Sequence, residues 1–229
     1  MTADELQSLC EKGSELLMRT DYLAAEEVLM RAEQIALAGK DWDTLARLYM
    51  PLQETRRQIR QRCGEGVVKL DLIASGPLDR IDAESILNRF PHGQLLVAGW
   101  DNLGLAMEVR RLARQRRLFV ETFLASVHRA GRERAIVIYP STDLTPPNKP
   151  TVLVEDDFPR GERAGTAQTY AEIMDLWERL HAPSLLRADQ TSDPLEKIDA
   201  YRKTIEIDNA CEFAHQRLAD TARSMARRA

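Results

Sequence analysis

Two glycines bracket the run Gly99-Trp100-Asp101-Asn102-Leu103-Gly104, which follows an apolar stretch and precedes a helical pattern. At such a strand-to-helix turn the first helical amides attract an anion, and a glycine lets a phosphate come close. Asp101 or Asn102 is equally an N-cap, whose side chain would occupy those same amides. Gly99, Trp100, Asp101, Asn102 and Gly104 are therefore the candidate ligand-binding residues, with an ordinary capped turn as the alternative. Trp100 suits a plug at the strand end better than a stacking platform. Neither GxGxxG nor GxxxxGK[ST] spacing is present, and no Lys or Thr follows to grip a phosphate or a metal.

Other reactive residue types are scattered. Asp79, Asp101, Asp156 and Asp157 fall near strand ends and would suit a hard cation such as Mg²⁺, although Asp156-Asp157 also reads as a solvated turn. His92, His128, His181 and His215 show no HxxxH or HExxH spacing, so no zinc site, metal or cofactor is expected. Ser75, Ser126 and Ser141 lack the GxSxG elbow of an activated serine. Cys10, Cys63 and Cys211 form no CxxC pair and read as buried thiols in a reducing compartment. Cys63 closes a helix, where the dipole raises a thiol's pKa, the wrong direction for a nucleophile. These residues assign no catalytic group and lean away from an enzyme.

Charge gives one further feature. Arg110, Arg114 and Arg117 share a helical face at spacings of four and three, and Arg56, Arg57, Arg60 and Arg62 make a second stripe. Such stripes would bind RNA, an acidic partner or a phosphorylated ligand, or would be solvated faces or pair with acidic residues. No aromatic residues interleave, which argues against nucleic-acid stacking. A net charge of −4 excludes a surface that grips nucleic acid or anionic lipid all over.

The elements that must position these residues follow from pattern. With 229 residues, 44% hydrophobic and 30% charged, the chain can bury a core of one or two domains. Its longest apolar runs, such as Ala135 to Tyr139, are of strand length, and Met1 to Leu9 carries acids and no apolar run. Neither a membrane span nor a signal peptide is expected, and the predicted compartment is the cytoplasm of a bacterial-type cell.

Helical spacing marks residues 3–19 and 21–39, with Gly39 as the expected C-cap, and a third helix from Asp43 to Arg62. Pro51 inside that helix predicts a kink near Leu48. Five strands are predicted: Val67 to Ala74, Gln94 to Trp100, Leu118 to Val127, Arg134 to Tyr139 and Thr151 to Glu155. Helices separate the first three, which predicts parallel pairing, and the short turn before the fourth makes it antiparallel. Ligands in such a sheet bind beyond the carboxyl ends of the parallel strands, near Ser75-Gly76, Gly99 to Gly104 and Ser126 to His128. A helix is expected from Thr166 to His181, another opens at Asp193-Pro194, and a last one follows Asp208-Asn209.

The stretch Leu9-x3-Gly13-x2-Leu16, followed by Asp21-Tyr22-x2-Ala25-x3-Leu29-x2-Ala32, resembles one tetratricopeptide repeat. Residues 193–222, with the phrase AYRKTIEIDNA, resemble the same family. Gly13, Ala25 and Ala32 match its small packing positions, while Leu16 stands where an aromatic is usual and Leu37 where a proline is usual. The resemblance implies paired antiparallel helices whose groove takes a partner segment.

The expected fold class is mixed α/β, a small mixed β-sheet with flanking helices framed by tetratricopeptide-like hairpins at both ends. The expected domains are 1–64, 65–164 and 165–229, with packing of the first against the last left open as one arrangement. The expected function is a non-catalytic interaction or scaffold protein that binds another protein or peptide, or itself, and neither membrane nor nucleic acid. The alternative is an enzyme or binding module for a nucleotide or phosphorylated sugar at the sheet edge.

Overall fold

The computed structural model describes residues 3–73, 81–130, 133–154 and 162–228. The chain divides into two compact units: Met1–Ile59 together with His181–Ala229, and Arg60–Leu180. The class is mixed α/β.

The first unit is helical; of its helices, Trp42–Gly64 from Arg60 onward and Ala167–Gln190 up to Leu180 belong to the second unit. α1 (Ala3–Met18) and α2 (Tyr22–Gly39) are joined by a short turn in which Asp21 Oδ1 accepts from the Ala24 amide. α2 closes on Lys40 in the left-handed conformation (φ +53), so the cap lies one residue beyond the expected Gly39. α3 (Trp42–Gly64) runs through Pro51, which has no N–H for the Arg47 carbonyl. α6 (Ala167–Gln190) likewise runs through Pro183 and continues nine residues past the expected end at His181. α7 (Pro194–Ile207) starts at the Asp193 cap, whose carboxylate accepts from the amides of Leu195 and Glu196. α8 (Glu212–Ala226) follows the Asp208 turn.

Residues far apart in sequence share this unit's core: Leu6, Leu29, Leu45, Tyr49 and Leu52 lie in one buried cluster with Ala188, Ile198, Tyr201, Ala214 and Leu218. Burying these side chains is the main drive for the helices to associate, since short amphipathic helices are marginal alone. Close approach of α1 and α2 depends on Gly13, where an added Cβ would lie 2.5 Å from a Leu29 methyl. A buried polar chain adds specificity. Arg56 on α3 donates Nε to Glu26 on α2 at 2.9 Å and a terminal nitrogen to His215 Nε2 on α8 at 3.1 Å. His215 in turn donates Nδ1–H to the Cys211 carbonyl at 2.8 Å.

The second unit is a six-stranded sheet ordered β5-β4-β3-β2-β1-β6. Its strands are β1 (Val67–Ile73), β2 (Gly93–Trp100), β3 (Val120–Ala130), β4 (Glu133–Tyr139), β5 (Thr151–Val154) and β6 (Glu162–Ala164). β1, β2 and β3 are parallel, whereas β4, β5 and β6 each join antiparallel to their neighbours. α4 (Ala83–Arg89) and α5 (Gly104–Gln115) cover one face, where Ile86, Leu87, Val109 and Ala113 pack with Leu95, Val97 and Leu124. On the other face Phe123 stacks on Trp177 at 4.2 Å, and the buried Arg60 pairs with Glu121 at 3.1 Å and lies over the Trp177 ring. β6 is a three-residue strand that the sequence pattern does not reveal.

Among the described residues, no helix is long and apolar enough to cross a membrane.

Candidate functional site

β2 and β3 pair in register from Gly93↔Val120 to Trp100↔Val127, which sets Gly99 opposite Ser126. Side chains alternate along a strand, so Ser126 and His128 share one face of β3. Beyond β2 the chain turns sharply: Asp101 has φ +53, and its amide donates to the Val127 carbonyl at 2.9 Å. That conformation is uncommon outside glycine but accessible to Asp. It directs the Asp101 carboxylate toward β3.

The outcome is a hydrogen-bonded relay. Ser126 Oγ lies 2.7 Å from His128 Nε2, and His128 Nδ1 lies 2.8 Å from Asp101 Oδ1. The Tyr139 hydroxyl of β4 sits 3.2 Å from Ser126 Oγ and 3.3 Å from His128 Nε2. With Asp101 accepting from Nδ1–H, Nε2 is left as the acceptor facing the serine hydroxyl, the order needed for a general base beside a nucleophile. Exposure is uneven. Ser126 is 1% exposed, while the His128 and Asp101 side chains are 37% and 60% exposed. Solvent reaches the imidazole and carboxylate, and the hydroxyl is covered.

Of the predicted ligand residues, Asn102 takes the structural role. Its Oδ1 accepts from the Gly104 amide at 2.9 Å and its Nδ2 donates to the Trp100 carbonyl at 2.7 Å. Gly99 bridges to Asn102, and a Cβ on Gly99 would meet the Asn102 carbonyl at 2.9 Å. Asn102 therefore occupies part of the donor set expected to meet an anion. Trp100 is half-buried, neither a full plug nor an open platform. The sequence pattern indicated Asp101 and the Ser126 to His128 segment separately but gave no signal joining them. No local motif points to Tyr139, whose distance from Ser126 is set by β3–β4 register.

The predicted basic face of α5 needs correction. Arg110 points inward, its Nε donating to the Thr122 carbonyl at 2.7 Å, and burial lowers it to about 10 against the opposing pull of Glu121. Arg114 and Arg117 are exposed, but Arg117 lies in the turn after the helix with φ +52. The second stripe is largely paired: Arg56 with Glu26, Arg57 with Glu54, Arg60 with Glu121 and Arg62 with Glu65. Cys63 is buried, which together with Glu121 pushes its thiol well above the usual range. Ser75, Gly76, Asp79, Asp156 and Asp157 lie outside the described residues.

The helical unit holds a second candidate surface. A cleft of about 360 Å³ opens between Gln7, Glu11 and Ser14 of α1 and Thr44, Arg47 and Pro51 of α3, with Leu29 of α2 completing its wall. Its rim carries both charges: Glu11 accepts from Gln7 at 2.8 Å, and Arg47 pairs with Asp43 at 3.0 Å.

Compared with family models, curated proteins and solved structures, this chain finds no match.

Proposed function

We infer that the protein is a cytoplasmic docking protein whose tetratricopeptide-like helices bind a short peptide segment of another protein. The observation that carries this reading is the α1–α3 cleft, walled by polar side chains of α1 and α3 and by the less polar Cys10, Leu29, Leu48 and Pro51. Helix-lined grooves of this kind take peptides through spaced side-chain contacts. Glu11 and Arg47 on opposite walls favour a segment with a basic and an acidic residue flanking a small apolar one. Two buried thiols and one half-buried thiol, none in a disulfide, support a reducing compartment.

The test is selection of a random peptide library on the full chain, with counter-selection on a Ser14→Trp variant whose cleft is filled. An enriched consensus that binds the wild type and loses at least about tenfold in affinity to Ser14→Trp supports the reading; a tenfold loss is 1.4 kcal/mol. Enrichment of nothing, or of peptides indifferent to Ser14→Trp, overturns it.

The Ser126–His128–Asp101 relay favours a second reading, an ester hydrolase at the sheet edge. Ser126 Oγ would attack the ester carbonyl as His128 Nε2 takes its proton; that proton passes to the leaving alcohol, and water then cleaves the acyl-serine. The covered hydroxyl requires its surroundings to part before substrate reaches it. Labelling of the wild type but not of Ser126→Ala by a fluorophosphonate supports this reading, and an unlabelled wild type ends it. A nucleotide or sugar phosphate at Gly99 to Gly104 has less support, because Asn102 holds the Gly104 amide and the Asp101 carboxylate faces the same edge.

A further inference from the structure

Three different metal-ligating side chains converge in the helical unit, and none of them lines the α1–α3 cleft. His181 lies on α6, Asp208 breaks the chain after α7, and Cys211 occupies the N-cap of α8. One ligand atom from each lies within 4.8 Å of the other two. His181 Nδ1 is 2.7 Å from Asp208 Oδ2, and the Cys211 thiol also hydrogen-bonds to His181.

The turn fixes this arrangement. The Cys211 amide donates to the Asp208 carbonyl at 3.0 Å, and Asp208 Oδ1 accepts from the Ala210 amide at 3.1 Å. The second carboxylate oxygen is thereby aimed at the histidine. Such outer hydrogen bonds orient the ligands of metal sites. Cys211 makes no side-chain cap bond to its own helix, so the sulfur is left to the histidine. Asp208 is 1% and Cys211 3% exposed, which limits competition from water.

We propose that His181, Asp208 and Cys211 form a binding site for a zinc-class divalent cation. Thiolate, imidazole and carboxylate are the three side-chain types zinc takes, and three protein ligands leave a fourth position for water or an incoming group. Across a tetrahedral ion with bonds of about 2.0–2.3 Å the ligands stand about 3.3–3.7 Å apart, so small side-chain movements suffice. The ion displaces the protons of His181 Nδ1 and the Cys211 thiol, which are released to solvent. Sequence spacing gave no sign of this because His181 and Asp208 are 27 residues apart.

The experiment titrates the metal-free full chain with Co²⁺, whose spectrum reports a thiolate ligand directly, and then displaces it with Zn²⁺. A saturable thiolate-to-cobalt charge-transfer band, with the intense visible bands of four-coordination, is expected in the wild type and in Cys10→Ala. Cys211→Ala should lose the band, and His181→Gln, which removes a ligand, should weaken binding by at least about 100-fold, no less than the largest loss seen for outer-shell partners. Zn²⁺ should raise the Tm of the wild type and leave Cys211→Ala unmoved. No band in the wild type overturns the proposal, as does an equal band in Cys211→Ala. Should Cys211→Ala fail to fold, His181→Gln decides, since undiminished cobalt affinity there also overturns it.

Discussion

Gly93 shows how one backbone position can hold a sheet together. It has φ +143, and an added Cβ would lie 2.0 Å from the Val67 carbonyl oxygen, a backbone atom with no freedom to withdraw. Both strain and clash act at the first β1–β2 pair. Gly93→Ala should therefore lower unfolding stability by about 2–3 kcal/mol, the upper range for strained backbone, read from urea denaturation midpoints. Tyr49 supplies a pH-dependent case. Burial, reinforced by Glu33, holds its phenol well above the usual value of 10. A group raised on folding contributes stability that is fully present below its unfolded pKa and lost as pH rises through the folded one. Wild-type stability should accordingly decline above pH 10, and Tyr49→Phe should flatten that decline in alkaline denaturation series. These residues also mark what sequence can reveal. Asp101 and Ser126 to His128 were legible as strand-end positions from apolar runs and turn residues. Their meeting depends on the left-handed turn at Asp101 and on the register of β2 with β3, and neither leaves a local signature.

The helices and strands themselves were largely readable, because 3.6-residue and two-residue periodicities come from burial of one face. The parallel trio β1–β3 followed from connection length, as did the reversal at β4. Errors arose where tertiary contacts override local rules. α6 continues through Pro183 because residues beyond it, including Ala188, are buried in the helical core. Arg110 leaves the predicted basic face because a sheet carbonyl and Glu121 offer its guanidinium partners. A related argument gives a prediction for the contacts between helices. Arg56 is buried between Glu26 and His215, so Arg56→Met strands a carboxylate that is only 14% exposed. The loss should be about 3–5 kcal/mol, as for other half-deleted buried pairs, and Arg56→Met with Glu26→Leu should recover most of it. Equal destabilisation in the double variant would show that packing, and not the charge, dominates.

Both ends of the chain contribute to one helical core, with Leu6 and Leu45 in the same cluster as Tyr201 and Leu218. The α/β unit occupies the sequence between them. The candidate sites divide by unit: the α1–α3 cleft and the His181–Asp208–Cys211 cluster belong to the helical unit, and the Ser126–His128–Asp101 relay to the sheet. Hydrogen exchange on the full chain with its selected peptide bound tests whether the helical cleft is where this protein does its work. Protection should concentrate on residues 7–14 and 44–51 and leave the sheet edge around Asp101 and Ser126 unchanged. Protection confined to that edge, or none at all, would mean that the helices serve only as a frame.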